Sequence, residues 1–157
     1  NNYLNCLFYK DKNNVDQQLV EEILDKLKSN PSQRSQEIYC SAKAKALAKF
    51  DYQVDEAFAL IEQGIHKFPE IKYPVLTLCD LSIQYRKLDK LEYAIGLLEH
   101  SDSPKSQTYS SFIRYKATYL ALTNRLDEAI QLCQKELLEL TAQELGHFFE
   151  KLAQYQK

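Results

Sequence analysis

The chain has 157 residues, 45% hydrophobic and 27% charged, a balance that belongs to folded domains and excludes disordered and fibrous classes. A formal net charge of −2 supplies no general attraction for nucleic acid or an anionic membrane. Three glycines and four prolines are too few for the turns of a many-stranded β fold, and abundant Leu, Ala, Lys, Glu and Gln favour helix.

No apolar run approaches the roughly 20 residues of a transmembrane helix. The chain starts "NNYLN" and holds no methionine, so an excised domain of a longer protein is expected. Cys6, Cys40, Cys79 and Cys133 form no CxxC pair. They read as reduced small hydrophobes of a cytoplasmic domain rather than as two bridges.

In chain order, the apolar spacing predicts helices over 2–10, 14–29, 32–49, 53–67, 73–87, 90–100, 104–122, 125–139 and 142–155. Val54, Ala57 and Ile61 define one helix face at offsets 0, 3 and 7. The same offsets return at Val20, Ile23 and Leu27, at Leu91, Ala94 and Leu98, and at Leu126, Ala129 and Cys133. The first members of these sets lie 34, 37 and 35 residues apart, a period that signals stacked helix pairs.

Each interval carries a partner helix. Leu78, Leu81, Ser82 and Tyr85 precede Leu91, while Ile113, Ala117 and Leu120 precede Leu126. Cys40, Ala44 and Leu47 precede Val54 and match if that turn is one residue longer. Ala44, Ser82 and Ala117 then share one position, where a small side chain lets two helices approach closely. Asp89 with Glu92 and Thr141 with Glu144 read as capping boxes, and Asn124 as the cap of the helix that follows it. The stripe of Leu145, Phe148, Phe149 and Leu152 on the final helix is expected to cover the open end of the stack, as arrays of this kind require.

With these residues in register, the sequence resembles the tetratricopeptide repeat family. Ala57, Ile61, Gly64 and Pro69 fit the second half of its motif; Ser82, Tyr85, Ala94, Leu98 and Ser101 fit the next copy, and Ala117, Leu120 and Ala129 the last. Ile23 where the family prefers alanine, Ser106 and Thr141 in place of a closing proline, and Glu136 where a small residue is usual are departures. The resemblance implies an all-α, right-handed α-solenoid of antiparallel helix pairs with a C-terminal capping helix. It implies one domain over 1–157, with a degenerate first repeat over about 1–31, repeats over 32–70, 71–103 and 104–140, and the cap at 141–157. The pentatricopeptide family is the nearest competitor, but its arrays bind RNA and are usually basic, whereas this chain is slightly acidic.

No catalytic or metal constellation emerges. His66, His100 and His147 stand at helix ends or alone, without Cys or acidic neighbours at ligand spacing, and GxSxG, P-loop and GxGxxG motifs are absent. Neither a catalytic residue nor a cofactor is expected. The resemblance instead implies a protein-interaction module, a scaffold or adaptor that takes a peptide segment or another protein on a concave wall. That wall would be lined by Ile38, Ser41 and Lys45, by Leu76, Cys79 and Ile83, and by Ser111, Arg114 and Thr118. Lys45 and Arg114 flanking an apolar strip would suit a peptide with apolar anchors and an acidic group. The clamp by which some family members hold chaperone C-terminal carboxylates is missing, since its places read Ser41, Lys45, Asp80, Ser111 and Tyr115. Nucleic acid and membrane are not expected partners, and self-association is left open. The alternative function is a peptide- or ligand-sensing regulatory domain of a larger signalling or transcription protein.

Overall fold

In a computed structural model, the described residues are 17–69, 72–99 and 107–137. They are helical almost throughout, with no strand among them. The helices are α1 (Gln17–Ser29), α2 (Gln33–Ala46), α3 (Val54–Lys67), α4 (Lys72–Gln84), α5 (Leu88–Glu99), α6 (Gln107–Leu122) and α7 (Leu126–Leu137), with a π-helical segment, Leu47–Asp51, continuing α2. The expected helices over 2–10 and 142–155 lie outside the described residues. The chain divides into two compact units, Asn1–Leu81 and Ser82–Lys157.

In the first unit α1 packs on α2, and α2 on α3. Val20 and Leu24 of α1 bury against Ala42 and Ala46, with Ile23, Tyr39 and Phe50 around them. Alanines at this crossing keep the helix axes close. The loop between α1 and α2 is fixed by Gln36, whose side-chain amide donates to the carbonyls of Asn30 at 2.7 Å and Lys28 at 3.1 Å. These carbonyls at the end of α1 would otherwise lack partners. Ser32 caps α2, its hydroxyl accepting from the Ser35 amide at 3.3 Å.

The extra residue of the second pair is absorbed inside the helix rather than in the turn. Leu47–Asp51 widens to π geometry, and the amides of Tyr52 and Gln53 both donate to the Leu47 carbonyl. Tyr52 closes it in the left-handed region at φ 55°. Gly64 of α3 lies where a Cβ would sit 3.3 Å from Cys40 Cβ and 3.7 Å from Pro74. Its hydrogen therefore sets how closely α3 approaches α2 and α4.

In the second unit α5 packs on α6, and α6 on α7. Leu91, Ala94, Ile95 and Leu98 are the buried face of α5. Ala117 and Leu120 meet Ala129, with Leu132 and Cys133 beside them. The ends of α4 and α6 are closed alike. Arg86 and Asn124 take φ 56° and 61°, and the next amides, of Lys87 and Arg125, reach back to the carbonyls of Ser82 at 2.9 Å and Leu120 at 2.8 Å. This is the Schellman pattern, with a non-glycine residue at its left-handed place. It corrects two expectations. Asn124 ends α6 instead of capping α7, and the turn after α4 comes early enough that α5 starts at Leu88, placing Asp89 inside its first turn as a dipole partner.

The shared small position is sealed as expected: Ala44 and Ser82 have no exposed surface, and Ala117 almost none. Residues 35–50 of α2 and the π segment include no exposed residue, nor do 74–83 of α4 or 109–120 of α6. The solvent faces belong to α1, α3, α5 and α7, which carry exposed acids at their starts or along their length. First and second helices of each pair thus have different roles: one is sheltered, the other meets water.

Candidate functional site

The residues expected to line a binding wall all lie on the sheltered helices, and six of the nine keep part of their surface: Ile38, Ser41, Lys45, Leu76, Ile83 and Ser111. Cys79 has none, while Arg114 keeps 4% and Thr118 9%. Ile38, Ser41, Lys45, Leu76 and Cys79 belong to the first unit, and Ile83, Ser111, Arg114 and Thr118 to the second.

Within the first unit, Ile38, Ser41 and Lys45 share one face of α2 by their spacing of three and four. The end of that face meets α4: Lys45 Nζ stands 3.6 Å from Asp80 Oδ2, the two side chains 17% and 25% exposed. Leu76 is one turn before Asp80 on the same face of α4, and Ser41 one turn before Lys45 on α2. The Ser41 hydroxyl is buried and has no hydrogen-bond partner among the described residues. The surface is therefore part aliphatic and part polar, with its positive charge matched by a carboxylate.

Asp80 is the residue that sequence reasoning passed over as a partner. A signal was present: between 71 and 85 it is the only carboxylate, flanked by Cys79 and Leu81. An acid in such an apolar helix needs a cation or a polar edge to offset its desolvation. Lys45, one place after the small residue of the preceding first helix, was the cation available.

In the second unit Arg114 is enclosed, its guanidinium 4.0 Å from the centre of the Tyr115 ring, and Tyr115 is itself buried. Thr118 turns its hydroxyl back to the Arg114 carbonyl at 2.8 Å. Lys116 bonds Glu99 of α5 at 2.9 Å and lies over Phe112. Arg125 clasps Glu128 with two 2.6 Å hydrogen bonds, which hold the Glu128 carboxyl below its ordinary range. The Tyr119 phenol is pushed up by burial and by the neighbouring Glu92 carboxylate.

Titration elsewhere follows burial. Glu37 is covered, and its carboxyl is raised by desolvation, which nearby Arg34 offsets in part. Burial likewise raises the Cys40 thiol, against the pull of Lys67, and the Cys133 thiol. A raised thiol stays protonated and is a poor nucleophile. Among the described residues no group of three His, Cys, Asp or Glu side chains is placed to hold a metal ion, and no helix is long and apolar enough to cross a membrane.

No family model matches the chain, and neither a curated protein nor a solved structure matches it.

Proposed function

We propose that the chain is a non-catalytic interaction module of the tetratricopeptide type, an adaptor or scaffold that binds a peptide segment or another protein along its sheltered helices. In this reading the helix pairs continue as a right-handed superhelix, and the terminal segment with Leu145, Phe148, Phe149 and Leu152 closes it. The observation that carries the reading is the meeting of α2 and α4 at Lys45 and Asp80. It joins the first helices of successive pairs, and the aliphatic Ile38, two turns earlier on α2, and Leu76, one turn earlier on α4, are only half-buried.

Supporting this, the short seams of small residues make each pair rigid, so a surface on α2 and α4 is preformed and a ligand need not order it. Preorganisation lowers the entropic cost of binding. The test is affinity capture from the source lysate with matched variants of verified helicity. Ile38→Asp and Leu76→Asp should lose a partner that Gln63→Glu and Gln131→Glu, on exposed positions of α3 and α7, retain. Loss with the α3 or α7 variants instead would place binding on the exposed helices and overturn the proposal.

A further inference from the structure

We infer that Glu37 and Ser41 of α2 form a receptor for a basic side chain, so that the bound segment places a Lys or Arg there; the inference rests on the binding reading above. Glu37 keeps only 6% of its surface, yet its carboxylate has neither a hydrogen bond nor an ion pair among the described residues. Arg34, a turn before it, acts on that carboxyl without bonding it, and burial outweighs the attraction. The Ser41 hydroxyl, one turn after Glu37, is likewise buried without a partner among the described residues.

Residues four apart stand on one helix face, their Cβ atoms about 5–6 Å apart. Two unmet polar groups so close are costly, because each has given up hydration without a hydrogen bond in return. A cation bearing N–H donors answers both: the carboxylate gains a charge-assisted hydrogen bond, and the hydroxyl oxygen accepts another. A ligand carboxylate would be repelled, and an aliphatic group would leave both oxygens bare. The surroundings suit the stem of a basic side chain as well as its head. Ile38, next to Glu37, is a half-buried aliphatic against which methylenes pack. Arg34 is exposed, so Glu37 lies one turn from open solvent. Lys45 is further along α2 by about 12 Å of helix axis, more than the screening length of about 8 Å at physiological salt. The group recognised here is thus opposite in charge to the acid that the sequence leads one to expect, and Glu37 is the residue that selects it.

The experiment is selection of a random peptide display library against the folded chain, followed by titration of one enriched peptide and its counterpart with Met in place of the basic residue. The wild type should enrich peptides that carry Lys or Arg and bind the basic form at least about tenfold more tightly. Glu37→Gln, which keeps the shape and removes the charge, should abolish that preference in a variant of verified helicity. Ser41→Ala should weaken it, and does so without touching the carboxylate should Glu37→Gln fail to fold. Glu56→Gln, which removes an equal charge from an exposed place on α3, should leave it intact. Enrichment without basic residues would mean that water alone meets Glu37 and Ser41. That result, a preference unchanged by Glu37→Gln and Ser41→Ala, or an equal loss with Glu56→Gln would overturn the inference while leaving the binding reading in place. If a folded wild type enriches nothing, the binding reading fails and this inference with it.

Discussion

Glu37 is a covered carboxylate on α2 whose proton affinity is raised by burial. The folded state therefore holds that proton more tightly than the unfolded chain does. Stability from this group is fully present below the ordinary carboxylate range and is lost as pH rises through the raised value. At neutral pH the charged side chain costs stability. Glu37→Gln should raise the melting temperature at pH 7 and change it little at pH 4, which paired thermal scans would show; an equal shift at both values would mean that burial of charge is not its cause. Arg114 shows the opposite use of a charge. Its enclosure predicts that Arg114→Glu, which leaves a carboxylate against Tyr115, destabilises by about 3–5 kcal/mol in urea denaturation. Lys45→Gln, on α2 against α4, removes a cation from a largely covered carboxylate and should cost about 1–3 kcal/mol. The periodicity placed both cations on first helices, but it could not show which was covered. Burial depends on neighbours far away in sequence, and a pattern of 3.6 residues contains no depth.

Element boundaries were legible where apolar spacing marked them, as for α3 and α7, and shifted where backbone closure overrode the expected caps. The turn after α4 moved because Arg86, a residue with no mark of a left-handed preference, closes the helix there. The one-residue insertion before Val54 was visible as a broken register, but its form was not. A longer turn would have cost an ordered loop residue, whereas π widening keeps the chain hydrogen-bonded through Leu47. Two glycines separate packing from propensity. A Cβ on Gly64 would press on Cys40, while one on Gly96 would meet nothing within 4 Å. Gly96→Ala should therefore stabilise by about 1 kcal/mol through helix propensity alone, measured by chemical denaturation. No gain would imply that something unaccounted for covers α5. The sealed seam gives the converse prediction: Ala94→Glu, at a position with no exposed surface, should abolish cooperative unfolding in circular dichroism, and a variant still helical and cooperative would refute the seam.

At the scale of the molecule, repeat logic explains one contrast within the second unit. Leu91 and Ile95 are buried at 0% and 7%, yet their counterparts in the last described pair, Leu126 and Ile130, are 60% and 46% exposed. The same apolar code is written in both helices, and α5 has α6 packed on it. The 34-to-37-residue period was the strongest message in the sequence. It sufficed for the all-helical class, which follows from local spacing. The period could not supply the match between Lys45 and Asp80, because that contact spans two repeats; its one mark was Asp80 as the sole carboxylate between 71 and 85. The most direct test of the central claim, that ligands bind on the sheltered helices, is to titrate a display-selected peptide into isotope-labelled protein and map amide shift changes. The account predicts changes concentrated around Ile38, Ser41, Lys45, Leu76 and Asp80. Changes concentrated on the exposed side of α3, from Asp55 to His66, with α2 and α4 silent, would contradict it.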